Sequence, residues 1–422
     1  MLRLLVKSRA RCLELALLVT LLNLFLSFTV VWFSTTPAEN SRTSLQDSRL
    51  LLSVEYTGES AQASESPVSE IVPKSVNTLD NNQQMNHSEV RSEVPKKAAP
   101  IAIPPNLSFD TTLGVFDKFR KFQSHMFSVV GEAWSVLSSS RALCLGAQTS
   151  VDRLYELVEL VKNWSGPMSI AVFVPDIELG VGLRYIQYLR SCNLAIERQV
   201  SLHLIYPVEH RGTINGPDVA GKMDCNQPKQ ALKHLLNVRS KEMLAWRDSY
   251  PHPQNLLRNL AKNGCQTNYT YIPDIDMVPT PGMDIQLETF LEKQEKKNNC
   301  SKCAYVIPTY EISINSTHLP SNKTELLQFV KDKQARQFHQ ALYSINQKSS
   351  NLKKWEKIPE TEEIDIAYKV EKYIFKYEPL YIARGDTPAF DERFIGFGMT
   401  RNTQVGMNIR MTGSIACWIK AE

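Results

Sequence analysis

The chain has 422 residues, enough for one to three domains, and its 43% hydrophobic and 22% charged residues are typical of globular proteins. This composition excludes a wholly disordered, collagen-like or polytopic membrane protein. The formal net charge is +4, but Arg3, Lys7, Arg9 and Arg11 supply all of it, so residues 12–422 are electrically balanced. A nucleic acid is therefore not the expected partner.

An apolar segment near the N-terminus predicts a membrane anchor. Residues 13–33 carry a single charge, Glu14 at the edge, and about 20 apolar residues span a bilayer as a helix. The basic residues of the tail at 1–12 precede this segment, which favours a cytosolic N-terminus. A cleaved signal peptide is the alternative, but it requires a shorter apolar run and a nearby small-residue cleavage site. We predict a single-pass type II membrane protein whose remaining residues lie in the secretory lumen.

Sequons and cysteines agree with a lumenal location. Asn-x-Ser/Thr triplets without a central proline start at Asn86, Asn106, Asn163, Asn268, Asn299, Asn315 and Asn322. Of the eight cysteines, seven follow the predicted anchor, so at least one is free or pairs with another chain. Cys300 and Cys303 have no second pair or His couple nearby. This favours a structural disulfide or plain thiols over zinc or redox chemistry.

The composition divides the lumenal part into two regions. Residues 34–108 contain one aromatic residue, Tyr56, and many Ser, Glu, Asn, Gln and Pro. Such a segment cannot bury enough apolar surface to offset the entropy of ordering, so it is predicted to be a flexible stem. Aromatic residues return at Phe109. A folded domain is therefore predicted at residues 109–422.

The folded region alternates between strand and helix patterns, which is typical of α/β proteins with a largely parallel sheet. Strands are predicted at 142–149, 168–174, 200–206, 269–275, 304–308 and 380–383. Helices are predicted at 151–164, 181–191, 256–261, 284–296 and 324–343. Polar segments at 207–230 and 344–362 are predicted surface loops, and loops of this length often border a site.

The segment YIPDIDMVP, residues 271–279, carries two carboxylates at the end of a predicted strand. Because side chains alternate along a strand, Asp274 and Asp276 are expected to point in the same direction. Such a pair can bind a hard divalent cation, with water and a diphosphate completing the coordination. Chance also produces Asp-x-Asp pairs as solvated loop acids, but the apolar strand before this pair favours the metal site.

Two further segments carry candidate chemistry. In residues 390–398, FDERFIGFG, aromatic and glycine neighbours can place Asp391 or Glu392 in a partly apolar pocket. Such a pocket raises a carboxyl pKa toward that of a general base. The alternative is a surface turn in which one acid pairs with Arg393. Upstream, Arg258 can clamp an anionic donor group bidentately, and the alternative is an arginine on a helix surface.

These blocks occur here in an order that resembles one glycosyltransferase family. YPHPQNLLRNLAK, YIPDIDMVPT and EPLYIARGDTPAFDERFIGFGMTRNTQ resemble the LARGE / β-1,4-glucuronyltransferase 1 family of Golgi enzymes, and ALCLGAQTSVDRLYELVELVKNWSGPMSIAVFV is similar to its first βαβ unit. The resemblance covers about residues 141–405. It implies a GT-A type α/β fold, a nucleotide-sugar donor and Mn²⁺, with Asp274 and Asp276 as the metal-binding DxD motif and Arg258 as a ligand of the donor carboxylate or diphosphate.

The resemblance also implies an activity. Similar family members transfer glucuronic acid from UDP-glucuronate to xylose in β-1,4 linkage, on O-mannosyl glycans of dystroglycan. An α-linked donor and a β-linked product require inversion with one general base, which Asp391 or Glu392 would supply. The expected setting is the Golgi membrane with a lumenal catalytic domain. The expected partners are a glycoprotein-borne glycan acceptor and homo- or hetero-oligomers with other Golgi transferases.

The C-terminal part departs from the family pattern. Family members continue to a short segment whose His near a Gly looks like a third metal ligand, whereas this chain has no His after His339. Either the chain is a truncated or alternatively spliced product, or its metal site and activity are incomplete. The missing segment favours one alternative function, an inactive Golgi protein that binds glycans or stabilises a partner. A transferase that uses UDP-xylose or UDP-N-acetylglucosamine is the other alternative, because donor choice in the family rests on a few pocket residues that the sequence does not place.

Overall fold

The structure, a computed structural model, describes residues 101–102, 108–214, 222–297, 303–396, 398, 400–404 and 417–420. The predicted cytosolic tail and membrane anchor lie outside the described residues, as does most of the predicted stem. Within the described ranges, no helix is both long enough and apolar enough to cross a bilayer.

Strands supply the framework of the domain. In chain order they are β1 Ile101–Ala102, β2 Val115–Phe116, β3 Phe122–Val129, β4 Leu143–Ser150, β5 Met168–Phe173, β6 Val200–Pro207, β7 Lys222–Met223, β8 Tyr269–Tyr271, β9 Ala304–Ile307, β10 Tyr310–Ile312, β11 Ala335–Gln337, β12 Asp365–Lys369, β13 Leu380–Arg384 and β14 Cys417–Lys420. Ten of them form one sheet in the order β12-β14-β9-β13-β8-β4-β5-β6-β3-β2. Two short antiparallel pairs, β1 with β7 and β10 with β11, lie outside it.

The centre of the large sheet is parallel, as the sequence predicted. The neighbours β8, β4, β5 and β6 all pair in parallel. These strands are almost continuously buried, so their few polar side chains, such as Ser169 and His203, lie inside the fold and not in solvent. The flanks add antiparallel pairs, because β3 runs against β6 and β13 runs against both β8 and β9. The resulting mixed α/β sheet fits a GT-A-like fold.

Helices cover both faces of this sheet. They are α1 Trp134–Ser140, α2 Leu157–Leu160, α3 Glu178–Cys192, α4 Leu194–Gln199, α5 Pro228–Leu236, α6 Lys241–Ser249, α7 Gln254–Gly264, α8 Met283–Lys297, α9 Lys323–Lys331 and α10 Leu352–Glu356. Alternate side chains of β5 serve the two faces: Ile170 and Val172 join the larger core cluster, whereas Ala171 and Phe173 join the cluster that includes Leu257 of α7.

Disulfides link the ends of two helices to other parts of the fold. Cys144 of β4 is bonded to Cys265, which follows α7. Cys192, the last residue of α3, is bonded to Cys225 in the segment before α5. Cys303 is disulfide-bonded as well, so the disulfide is the correct alternative for this cysteine.

Two predicted elements end early. The strand predicted at 269–275 ends at Tyr271 because Pro273 has no N–H to donate to the sheet. The helix predicted at 324–343 ends at Lys331. There Lys333 adopts a left-handed conformation and its amide donates to the carbonyl of Val330, which turns the chain into β11.

Candidate active site

The two aspartates predicted to bind a metal lie in a turn after β8. The amide of Met277 donates to the carbonyl of Asp274 over 2.9 Å, which closes a turn around Ile275 and Asp276. A turn therefore positions the two carboxylates, and not the strand alternation that the sequence predicted. The turn follows the C-terminal end of a central parallel strand, where ligands bind in open α/β sheets.

Two arginines hold the Asp274 carboxylate. Its Oδ1 accepts from Nη2 of Arg258 over 3.1 Å and from Nη2 of Arg401 over 3.0 Å. Burial alone would raise the pKa of Asp274, but the charges of Arg401 and Arg258 and a hydrogen bond from Gln148 outweigh it and hold this pKa well below its usual range. Asp274 is therefore ionised at any physiological pH.

Arg258 is buried and engaged in protein contacts. The residue is 3% exposed, and its Nη1 donates to Oδ1 of Asn255 over 3.1 Å and to Oγ1 of Thr400 over 2.9 Å. The structure thus brings Arg258 to Asp274, and these contacts orient the carboxylate. A direct contact between Arg258 and a donor remains a prediction.

Arg401, from a distant part of the chain, also binds and orients the Asp274 carboxylate. Besides its bond to Asp274, its Nη1 donates to the carbonyl of Ile272 over 2.6 Å. The guanidinium therefore holds both the backbone and the side chain of the turn, and the residue is buried. Sequence reasoning missed Arg401, because nothing local to it indicates a contact with a residue 127 positions upstream.

Asp276 has a different and more exposed partner. Its Oδ2 accepts from Nη2 of Arg153 over 2.7 Å, and both side chains are about half exposed, at 50% and 48%. Arg153 also donates to both carboxylate oxygens of Glu156, over 3.1 and 2.9 Å. Because β4 and β8 are parallel neighbours, the segment after β4 and the turn after β8 meet at one edge of the sheet. Arg153 was also missed, although a charged residue just after a buried parallel strand is a readable signal.

A buried charge network fixes the backbone beside Arg153. Asp152 pairs with Arg239 over 2.5 Å and with Arg247 over 2.7 Å. The same two arginines contact Glu178, at 2.9 and 3.2 Å. Burial raises the pKa of Glu178 to about 7 against the pull of both arginines. The network anchors the 3₁₀ turn at residues 151–156 from which Arg153 projects.

His252 and Gln148 extend the hydrogen bonds of Asp274 inward. Nε2 of His252 lies 2.8 Å from Oε1 of Gln148, and the side chain of Gln148 in turn bonds to Asp274. Burial, with help from Arg247 and Arg258, lowers the pKa of His252 to about 4. The imidazole is therefore neutral at pH 7, and its Nε2–H donates to Gln148.

One face of α7 holds the segment that contains both predicted base candidates. This polar stripe has the helical spacing i, i+3, i+4 and i+7 and consists of Asn255, Arg258, Asn259 and Lys262. The amide of Asn255 donates to the carbonyls of Asp391 and Thr400, at 2.9 and 3.0 Å. Asn259 exchanges two hydrogen bonds with the backbone of Phe390. Lys262 donates to the carbonyls of Gly385 and Thr387.

The two base candidates have different surroundings. Asp391 pairs with Arg393 over 2.6 Å, and this hydrogen-bonded pair lowers the pKa of Asp391. The raised pKa expected for this acid is therefore wrong, and the surface-turn alternative describes it. Glu392 Oε1 accepts from Nδ2 of Asn259 over 2.7 Å. The structure does not bring either carboxylate into direct contact with Asp274 or Asp276, and α7 joins the two regions.

Comparisons with known proteins agree with this geometry. Residues 142–411 match the model of a family described as "Glycosyl-transferase for dystroglycan". The β-1,4-glucuronyltransferase 1 proteins of Homo sapiens and Bos taurus are each 32% identical over 265 residues, which is 62% of this chain and 62% of theirs. The xylosyl- and glucuronyltransferase LARGE1 of Homo sapiens is 25% identical over 285 residues, 68% of this chain and 31% of its own. The chain thus spans about three fifths of the glucuronyltransferases that it matches, and it belongs to this glycosyltransferase family.

Proposed function

We propose that the protein transfers glucuronic acid from UDP-glucuronate to xylose, in β-1,4 linkage, during the synthesis of dystroglycan-type O-mannosyl glycans. The observation that carries this proposal is the turn with Asp274 and Asp276 at the C-terminal edge of the central parallel strands, within the region that matches the family. Several relatives are glucuronyltransferases by name, which supports the choice of donor.

Mn²⁺ fits the donor atoms of the turn. Asp274 and Asp276 offer hard carboxylate oxygens, the ligands that such ions prefer. In the part of the chain that the structure describes, no group of three or more His, Cys, Asp or Glu side chains could hold a metal ion. The two aspartates would therefore share the ion with water and the donor diphosphate. A bound divalent ion there would neutralise the charge that develops on the leaving UDP.

Chain residues set the electrostatics of the reaction. Arg258, Arg401 and Gln148 keep Asp274 ionised and oriented, so that this ligand is prepared before the donor binds. Inversion also requires a base for the acceptor hydroxyl. Between the two predicted acids, Glu392 is the better choice, because Asp391 is neutralised by Arg393 and has a lowered pKa.

The cellular setting is proposed from the sequence. The apolar segment at 13–33 and the basic tail before it support a type II anchor in the Golgi membrane, with the catalytic domain in the lumen. The two described disulfides are compatible with an oxidising compartment. Partners there would be a glycan acceptor and other Golgi transferases.

A direct assay tests the activity. The full chain, purified in detergent, is incubated with UDP-glucuronate, Mn²⁺ and a β-xyloside, and the disaccharide is identified by mass spectrometry and linkage analysis. Asp274→Asn and Asp276→Asn should each reduce turnover by at least ~100-fold, while Asp386→Asn, an exposed acid outside the turn, should leave it unchanged. A wild-type chain without product, beside an active human relative, would refute the proposal.

A different donor is the second candidate. The match to LARGE1, a xylosyl- and glucuronyltransferase by name, motivates this alternative. A panel of UDP-glucuronate, UDP-xylose and UDP-N-acetylglucosamine, offered one at a time with the same acceptor set, separates the two candidates. Preference for either of the last two donors would replace the glucuronyl assignment.

A further inference from the structure

We propose that Arg153 is an exchangeable counter-ion of the site, which neutralises Asp276 before the substrates bind and pairs with a phosphate of the donor afterwards. This inference rests on the proposed function, because it assumes a divalent cation at Asp276 and a nucleoside diphosphate beside it.

The three arginines of the turn differ in exposure. Arg258 and Arg401 are almost fully buried, and each also bonds to protein groups other than Asp274. The Arg153 side chain is 48% exposed, and the Asp276 side chain that it meets is equally exposed. Exposed ion pairs hold their geometry weakly, so this pair can separate at little cost.

The backbone at Arg153 is fixed, whereas its side chain is half exposed and makes surface ion pairs. Asp152 is tied to Arg239 and Arg247, and Leu154 is fully buried. The guanidinium therefore moves by side-chain rotation about an anchored residue. It swings at the C-terminal edge of β4, next to the turn after β8, where the diphosphate of a donor bound through Asp274 and Asp276 would lie.

Charge balance explains why an exchange is needed. Asp276 and Glu156 together carry two negative charges, and Arg153 is the cation that bridges them. When Asp276 takes a divalent cation instead, Arg153 loses one of its two carboxylate partners. A guanidinium matches phosphate oxygens in a bidentate arrangement, which suits it to the anionic donor that arrives with the cation.

Two binding constants, measured without turnover, test the exchange. Titration calorimetry and Mn²⁺ electron paramagnetic resonance give the Mn²⁺ affinity of the full chain in detergent without nucleotide, and calorimetry gives the UDP affinity at saturating Mn²⁺. Arg153→Met should tighten Mn²⁺ by about two- to fivefold, because a competing cation is gone. It should weaken UDP by about tenfold, because a charge-assisted contact is lost.

Control variants separate exchange from general effects. Lys162→Met removes one positive charge from an exposed i,i+3 pair on the same segment and should change neither constant. Arg153→Lys keeps the charge and should bind Mn²⁺ with an affinity near that of the wild type. Its affinity for UDP should lie between those of the wild type and Arg153→Met. The exchange is overturned if Arg153→Met shifts the Mn²⁺ and UDP affinities in the same direction, or changes neither of them.

The outcomes also separate this inference from the proposed function. A wild-type chain that binds Mn²⁺ and UDP but transfers no glucuronate refutes the proposed function, and the opposite shifts in Arg153→Met would still support the exchange. A wild-type chain that does not bind Mn²⁺ refutes the exchange, while the transfer assay alone decides the proposed function.

Discussion

Replacing Arg258 by methionine tests whether this arginine positions Asp274 or serves the donor alone. Methionine keeps most of the length and apolar volume of the side chain beside Phe390, over whose ring the guanidinium lies at 5.7 Å. The change removes the bonds to Asp274, Thr400 and Asn255. We expect a loss of folding stability as well as a loss of activity.

The magnitude follows from burial. Removing one partner of a buried ion pair costs ~3–5 kcal/mol. Asp274 is 31% exposed and keeps Arg401, which moderates the penalty. Two neutral hydrogen-bond partners also lose a donor, at ~1 kcal/mol each. Because Arg401 still compensates the partly exposed Asp274, the ion-pair loss is reduced to ~1 kcal/mol, and with the two hydrogen bonds the free energy of unfolding should fall by about 3 kcal/mol.

Urea denaturation at pH 7.5, followed by intrinsic fluorescence, measures the change. Arg393→Met is the matched control, because that arginine is 72% exposed and its pair with Asp391 should contribute little to stability. If Arg258→Met is no less stable than Arg393→Met while its Michaelis constant for the donor rises, the positioning role is refuted and the donor-clamp role is supported.

Three further predictions concern pH, a disulfide and a close contact. Burial lowers the pKa of His252 to about 4 in the folded protein. Below pH ~6.5 the imidazole therefore binds a proton in the unfolded chain but stays neutral in the folded one. The free energy of unfolding should therefore fall as the pH is lowered from 6.5 to 4. In His252→Gln the drop between pH 7 and 4.5 should be smaller than in the wild type by ~2–3 kcal/mol. A variant with the same pH profile as the wild type would contradict the buried neutral imidazole. Replacing Cys144 and Cys265 together by serine opens a link between residues 121 positions apart and should cost ~2–5 kcal/mol in the same assay; reductant should cost the wild type at least as much, because it also opens Cys192–Cys225. In Gly264→Ala the new methyl group would lie 2.1 Å from Nε2 of the buried His203, so thermal denaturation should show a loss of stability of at least ~1–3 kcal/mol. Gly385→Ala, whose methyl group would have its nearest neighbour at 3.4 Å, should be nearly neutral. Equal melting temperatures for the two variants would refute the clash.

The central fold was readable from the sequence because its strands are buried on both faces. The runs that became β4, β5 and β6 are predominantly apolar, and the structure places each within a residue or two of its predicted bounds. The extension of β8 was predicted wrongly. Side-chain alternation indicates a strand as far as Ile275, whereas the strand ends at Tyr271 because Pro273 has no backbone N–H to donate. The helix predicted at 324–343 failed for a different reason, since its C-terminal cap at Lys333 uses no glycine or proline.

The site was only partly readable. The Asp274–Asp276 pair and Arg258 are found near one another, but Arg153 and Arg401 reach them across 123 and 127 residues. Contacts of that kind depend on which strands become neighbours, and a single sequence does not specify this. The polar stripe of α7 was an available signal, because buried polar residues at helical spacing require distant partners.

The polar stripe of α7 also constrains the order in which the protein folds. The groups to which Asn255, Asn259 and Lys262 donate lie 123 to 145 residues later in the chain, so these side chains stay hydrated until that part of the chain has been synthesised and docked. The parallel strands can pair before that point, whereas Asp274 lacks Arg401 until it is reached. A nascent chain would therefore hold an ordered sheet well before it holds a working site, and pulsed hydrogen exchange should show protection at β4 and β5 preceding protection in residues 385–396.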